Sequence, residues 1–152
     1  MSVSFIFPGQ GSQAVGMGAA LAEAYPAAKS VFAEVDDALG QSLTALMWEG
    51  PESELTLTEN AQPALMAVSL AAVRVLQEKG VDLAKRVAFV AGHSLGEYSA
   101  LAAAGALSVA DTAKLLKIRG RAMQQAVPVG AGAMAALLGA DLSQAQELAR
   151  AA

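Results

Sequence analysis

The chain has 152 residues, enough for one domain with a real core, and its 10 Lys+Arg and 14 Asp+Glu leave a formal net charge of -4. The basic residues are scattered rather than striped, which argues against nucleic acid and anionic membrane as partners. Cysteine is absent, which excludes disulfides, thiolate metal sites and a cysteine nucleophile.

Val3 to Phe7 is rich in β-branched and aromatic residues and ends at Pro8-Gly9, which predicts a buried first strand followed by the loop Pro8 to Gln13. No basic n-region precedes this run. Two helices are expected next, at about Gly18 to Ala24 and Ala27 to Leu39, the second placed by Pro26 and stopped by Gly40. Gly50-Pro51 interrupts the chain, after which Thr58 or Asn60 is suited to cap a long helix running to Lys79. Between Ala64 and Leu76 that helix is apolar on nearly every face, so burial on all sides is expected. Its most apolar stretch, Ala64 to Val73, contains Ser69 and is too short to span a bilayer. The expectation is a soluble, cytoplasmic protein.

Val87 to Ala91 is a second compact apolar run, closed by Gly92, and helical sequence begins at about Leu95. Ser99 to Gly105 is small-residued apart from Leu101, which suits a helix lying close on a sheet. Ser108 or Asp111 is placed to cap a helix reaching about Val127. Met134 to Leu138 reads as a third strand, and Asp141 or Ser143 starts a last helix. Alternating strands and helices predict an α/β fold with a parallel sheet.

Gly92-His93-Ser94-Leu95-Gly96 matches G-x-S-x-G between a strand and a helix, the context in which that motif presents a nucleophile. A tight turn there strains Ser94 and lifts its hydroxyl out of the sheet, and the Leu95 N–H at the helix start is available to an oxyanion. The competing reading is a glycine-rich turn with an ordinary capping serine. His93, the only histidine, adjoins Ser94 in sequence; on a sharp turn the two side chains should diverge, making His93 a structural or site-lining residue rather than the base a serine needs.

Lys114, Lys117, Arg121 and Gln124 recur at helical spacing as one polar face. Arg119 instead stands among Leu115, Leu116, Ala122 and Met123, on the apolar stripe. A guanidinium there requires a partner: a structural carboxylate such as Glu97, solvent reached by snorkelling, or the carboxylate of a substrate. The loop Gly9 to Gln13 lacks the P-loop ending and the G-x-G-x-x-G spacing, leaving a structural turn or an anion site near the elbow.

Taken in order, Pro8-Gly9-Gln10-Gly11-Ser12-Gln13, Gln62-Pro63-Ala64-Leu65, Gly92-His93-Ser94-Leu95-Gly96-Glu97-Tyr98-Ser99-Ala100 and Arg119-Gly120 with Met123-Gln124 resemble the malonyl-CoA:acyl-carrier-protein transacylase family and the related acyltransferase domains of fatty-acid and polyketide synthases. The resemblance runs from Val3 to Gly139. It implies that Ser94 is acylated, that the backbone of Gln10 and Leu95 forms the oxyanion site, that Arg119 pairs with the free malonyl carboxylate, and that Gln62 lies near it. It further implies malonyl-CoA as donor, the phosphopantetheine thiol of acyl carrier protein as acceptor, and no tightly bound cofactor or metal.

Family members are longer, with a hydrolase-like large α/β domain, a small ferredoxin-like subdomain and a catalytic histidine in their second half. The expectation is therefore a fragment, with residues 1–128 the first part of the large domain and 129–152 the start of the subdomain, and with transfer impaired for want of the histidine. The stretches Ala64 to Leu76 and Ser99 to Gly105 are expected to lose covering partners. A first strand directly after Met1 suggests a free-standing enzyme rather than part of a synthase. Two other readings share the elbow: a serine hydrolase or thioesterase, and a non-catalytic module that only docks a carrier protein.

Overall fold

A computed structural model describes residues 3–128, 130–132 and 137–151, and places the two expected strands side by side. Strand β1 (Val3–Phe7) pairs in parallel with β2 (Val87–Gly92), with Phe7 opposite Gly92 and a register irregularity between Val3 and Ser4. The elements between them are helical: α1 (Ala19–Ala24), α2 (Pro26–Leu39), α3 (Leu43–Glu49), α4 (Glu52–Thr56), α5 (Thr58–Glu78) and α6 (Leu83–Arg86). After β2 come α7 (Leu95–Ala103), α8 (Val109–Ala126) and α9 (Leu142–Ala151). The architecture is α/β but helix-rich, around a small parallel sheet.

The strand pleat sends side chains alternately to two faces. Phe5, Phe7 and Val90 pack with Val73 of α5, Leu83 of α6, and Ala100 and Ala103 of α7. On the opposite face Ile6 is 78% and Phe89 73% exposed. Bare apolar surface thus lies on this sheet face, and also at Ile118 of α8 and Leu142 of α9. The expected loss of cover along Ala64 to Leu76 and Ser99 to Gly105 is partial: Ala64 to Ala67, Leu70 and Ala71 are at most 4% exposed, whereas Ala72, Leu76, Leu101, Ala104 and Gly105 are open. The small residues of α7 lie against the strands as expected, and a Cβ on Gly96 would collide with the carbonyl oxygens of Phe7 and Pro8.

The main core forms where α2, α5 and α8 meet. In α2, Ala28, Val31, Phe32 and Val35 recur at i, i+3, i+4 and i+7 and are buried, with Pro26 at the first helical position and Gly40 in the left-handed conformation after the last. Leu43 and Met47 of α3 and Leu55 of α4 join them. Each fully buried side chain of this size contributes about 1.5–3 kcal/mol of apolar transfer. Helices α3, α4 and α6 are four to seven residues long, too short for hydrophobic periodicity to reveal.

Two capping expectations are corrected. The N-cap position of α5 is Leu57, without a side-chain cap, because Thr58 and Asn60 have other partners. Thr58 Oγ1 accepts from Gln10 Nε2 at 3.4 Å; buried Asn60 donates to the Glu54 carbonyl and accepts from Lys117 Nζ at 2.7 Å. The free Glu59 N–H donates instead to Gln124 Oε1 of α8 at 2.7 Å. Elsewhere local signals suffice: Ser108 Oγ accepts from Asp111 N to open α8, and Asp141 accepts from Gln144 N ahead of α9. Hydrogen bonds from Ser143 Oγ and the Gln144 N–H hold the Asp141 carboxyl below its usual range.

The polar face assigned to α8 is also corrected at Lys117, which is buried, while Leu115 and Ile118 are exposed. Lys117 faces α5 because an acceptor pair awaits it there, Asn60 Oδ1 and Glu59 Oε2. The third-strand expectation falls largely on residues 134–136, outside the described residues; Leu137 and Leu138 are not in a strand.

Candidate active site

Strand β2 ends at Gly92, and the chain reverses through His93 and Ser94 into α7. Ser94 has φ 55° and ψ -114°, and among the described residues it is the one non-glycine with positive φ. A side chain in that region costs roughly 1–3 kcal/mol, held here by the surrounding packing. The packing is close: a Cβ at Gly92 would overlap the backbone of Gly96. Glycine is required at both positions by contact rather than by a turn angle.

Within the first turn of α7, Gly96 N donates to the His93 carbonyl at 2.9 Å and Glu97 N to the Ser94 carbonyl at 3.2 Å. The Leu95 N–H has no acceptor among the described residues, as its position at a helix start dictates. Because Phe7 lies opposite Gly92, the Pro8–Gln13 loop and the elbow leave the sheet at one edge, side by side. His93 N donates to Phe7 O at 3.1 Å, and the His93 imidazole lies against Gly9. Among the described residues the one hydrogen-bond partner of Ser94 Oγ is Arg119, so no base is engaged there.

Arg119 reaches the elbow from α8. That helix crosses α5 closely because position 120 is glycine: a Cβ there would come within 2.5 Å of Glu59 Cα. Arg119 Nη2 donates to Ser94 Oγ at 3.1 Å and Nη1 to Gln62 Oε1 at 2.6 Å. Gln62 is 1% exposed and its Nε2 lies 3.3 Å from Met123 Sδ, an arrangement that turns its carbonyl oxygen toward Arg119. The Arg119 guanidinium carbon stands 5.9 Å from the centre of the half-buried Tyr98 ring. Glu97 is exposed and not its partner, and no carboxylate pairs with Arg119 among the described residues. Of the partners weighed for this cation, the structural carboxylate is thereby removed, and both donor groups rest on neutral oxygens.

The fold brings Ser94, Leu95, Gln62 and Arg119 together, and Gln10 lies on the neighbouring loop with its side chain on Thr58. Met123 is read from the sequence only as an apolar neighbour of Arg119, and Tyr98 is given no role there. The spacing that set Met123 beside Arg119 also sets Tyr98 one turn beyond Ser94 on α7.

Beneath the site the α5–α8 crossing is fastened by charge. Glu59 Oε2 accepts from Arg121 Nε at 2.9 Å and pairs with Lys117 Nζ at 3.1 Å. The Arg121 hydrogen bond, seconded by Lys117 and opposed by burial, holds the Glu59 carboxyl below its ordinary value of 4.5. A depressed folded value means that the stabilisation is complete above about pH 4.5 and is lost as pH falls through the lowered value. Glu59→Gln is expected to cost about 2 kcal/mol at pH 7, the scale of a hydrogen bond to a charged group, and to flatten the acid limb of stability. Urea titrations at pH 7 and pH 3 test this; equal losses from the two proteins on acidification would contradict it.

A strained, lifted hydroxyl beside an unpaired N–H is equipped to attack an acyl carbon and hold the resulting oxyanion; the guanidinium next to it suits an acyl group with an anionic end. Among the described residues no cluster of three or more His, Asp or Glu is arranged to hold a metal, and no helix is long and apolar enough to cross a membrane.

The family model described as "Acyl transferase domain" matches residues 4–151. The malonyl CoA-acyl carrier protein transacylase of Bacillus subtilis (strain 168) is 53% identical over 139 residues, which is 91% of this chain and 43% of that protein. A crystal structure of acyl-carrier-protein-S-malonyltransferase from Bartonella henselae superposes with a TM-score of 0.91 at 58% identity, covering 99% of this chain and 48% of its own. A malonyl-transacylase in complex with its type II PKS acyl-carrier protein superposes at 0.79 with 50% identity, over 84% of this chain and 40% of that one. This chain thus spans less than half the length of these relatives.

Proposed function

The chain belongs to the acyl transferase domain family, and from that premise we propose that it transfers a malonyl group from coenzyme A to the phosphopantetheine thiol of acyl carrier protein. The observation that carries this reading is the guanidinium of Arg119, free of any described carboxylate, 3.1 Å from the strained Ser94 hydroxyl. A malonyl thioester has an electrophilic carbon and a carboxylate two bonds away, matching that pair of groups.

In the proposed reaction Arg119 gives up Ser94 Oγ for the malonyl carboxylate and keeps Gln62 Oε1. Ser94 Oγ attacks the thioester carbon, its proton passes to a base, and the oxyanion is held by the N–H groups of Leu95 and Gln10, each worth about 2.7–4 kcal/mol of barrier. The C–S bond breaks, coenzyme A leaves as the protonated thiol, and malonyl remains as a Ser94 ester. The carrier thiol then attacks the ester, and Ser94 Oγ recovers its proton. One serine serves two thiols in turn, provided water is excluded meanwhile.

The base is proposed to be a histidine in the part of its relatives that this chain does not span, so that the chain alone is impaired. Removal of such a partner leaves roughly 10³–10⁴ over the uncatalysed rate. In the same reading residues 1–128 are the first part of a hydrolase-like large domain, and 129–152 begin a ferredoxin-like subdomain. No tightly bound cofactor takes part, the partners are malonyl-CoA and acyl carrier protein, and the setting is cytoplasmic fatty-acid synthesis.

The test is a two-step mass measurement: the purified chain is incubated with malonyl-CoA, desalted, and offered either buffer or acyl carrier protein bearing phosphopantetheine. One malonyl per chain, stable in buffer and moved to the carrier, is expected. Release as malonate into buffer would instead make the protein a hydrolase, and carrier binding without an adduct would make it a docking module.

A further inference from the structure

We propose that Tyr98 is a positioning residue for Arg119: its ring supports the guanidinium so that the cation faces the acyl group on Ser94. The proposal rests on the malonyl reading above and adds a residue and a mechanism of selectivity to it.

An arginine side chain has four rotatable bonds, and two hydrogen bonds made through its η nitrogens leave rotation about the axis joining their acceptors unopposed. In this site those acceptors are Gln62 Oε1 and Ser94 Oγ. The second is also the nucleophile, so during acyl transfer that hydrogen bond is given up. One neutral oxygen, Gln62 Oε1, then remains to locate the whole cation. The Tyr98 ring, 5.9 Å from the guanidinium carbon, supplies a contact that persists throughout, because it makes no use of the donors needed for a carboxylate. Tyr98 is well placed for this task. It follows Ser94 by one helical turn on α7, so the elbow and the support move as one body, and it packs against the main core. The nucleophile and the carboxylate receptor belong to different helices; Tyr98 fixes the distance between them.

The consequence is selective. Loss of the ring loosens Arg119 and harms only acyl groups that use it, whereas general damage to the elbow slows every acyl donor alike. Tyr98→Leu and Tyr98→Phe therefore provide the test, each read in two ways. Acylation of Ser94 by malonyl-CoA and by acetyl-CoA is followed by intact mass, and the side-chain ¹⁵N–¹H signals of Arg119 are followed by NMR in the free chain. We expect Tyr98→Leu to slow malonyl loading about 2- to 5-fold, the scale of a partly exposed cation–π contact, with acetyl loading unchanged. The ring-current shift of the Arg119 signals disappears in Tyr98→Leu and is retained in Tyr98→Phe, which also loads malonyl as the parent does. Equal slowing of both donors, failure of Tyr98→Phe to preserve the malonyl rate, or Arg119 signals indifferent to Tyr98→Leu would overturn the proposal. Should the parent chain take up neither acyl group, its impairment for want of a base is complete, and the NMR comparison still decides whether Tyr98 holds Arg119.

Discussion

Ser94→Ala is expected to gain no mass from malonyl-CoA under conditions that load the parent chain, and Arg119→Ala to gain it on the order of 10²–10³-fold more slowly. The first result follows from the chemistry, since among the described residues no other nucleophile sits on a strained turn beside a free N–H. The magnitude of the second follows from removing one member of a hydrogen-bonded charge pair that the bound acyl donor would cover, which costs roughly 2–5 kcal/mol. Arg119→Ala should load acetyl-CoA about as well as the parent, because an acetyl group presents nothing to the guanidinium. Time courses of intact mass with both donors check the set. Malonyl loading that survives Ser94→Ala would place the nucleophile elsewhere; an arginine variant equally slow with both donors would assign Arg119 to the fold rather than to the substrate.

Gly92→Ala is expected to be the most damaging small substitution in the chain, destabilising it by about 4 kcal/mol or more. The added Cβ would overlap the backbone carbon and oxygen of Gly96, and a peptide unit at a helix start has no rotamer with which to yield. Gly40→Ala is the control. That residue has φ 57° with open space around its missing Cβ, so only the left-handed penalty of about 1–2 kcal/mol applies. Urea unfolding of the two variants should separate them clearly; a Gly92→Ala chain within about 1 kcal/mol of Gly40→Ala would show that the elbow relaxes.

The elements that could be read from sequence are those whose cause is local. Strand β1 ends at Phe7 because Pro8 and Gly9 follow, α2 lies between Pro26 and Gly40, and Ser108 opens α8 through its own hydroxyl. The elbow was legible for the same reason, since five consecutive residues specify it. What could not be read depends on partners remote in the chain. Thr58 and Asn60 look like caps until Gln10 and Lys117 claim them, and Lys117 looks like a surface lysine until Glu59 and Asn60 are set across from it. Arg119 shows the intermediate case. Its misfit on an apolar stripe was visible, but the choice among Glu97, solvent and a ligand required knowing that Gln62 and Ser94 lie within reach and Glu97 does not.

The parallel pairing of β1 with β2 also has a consequence in time. Val3 is aligned with Val87, so β1 leaves the ribosome more than eighty residues ahead of its one strand partner among the described residues. At a synthesis rate of about 5–20 residues per second that wait is roughly 4–17 seconds. Throughout it the segment Val-Ser-Phe-Ile-Phe is extended-prone, uncharged and without a ladder to join, the composition most given to pairing with another nascent chain. The helices made in the interval, α1 to α5, can gather around Phe32, Met47 and Met66 without it. The strand that shapes the site is thus made well before the partner that secures it.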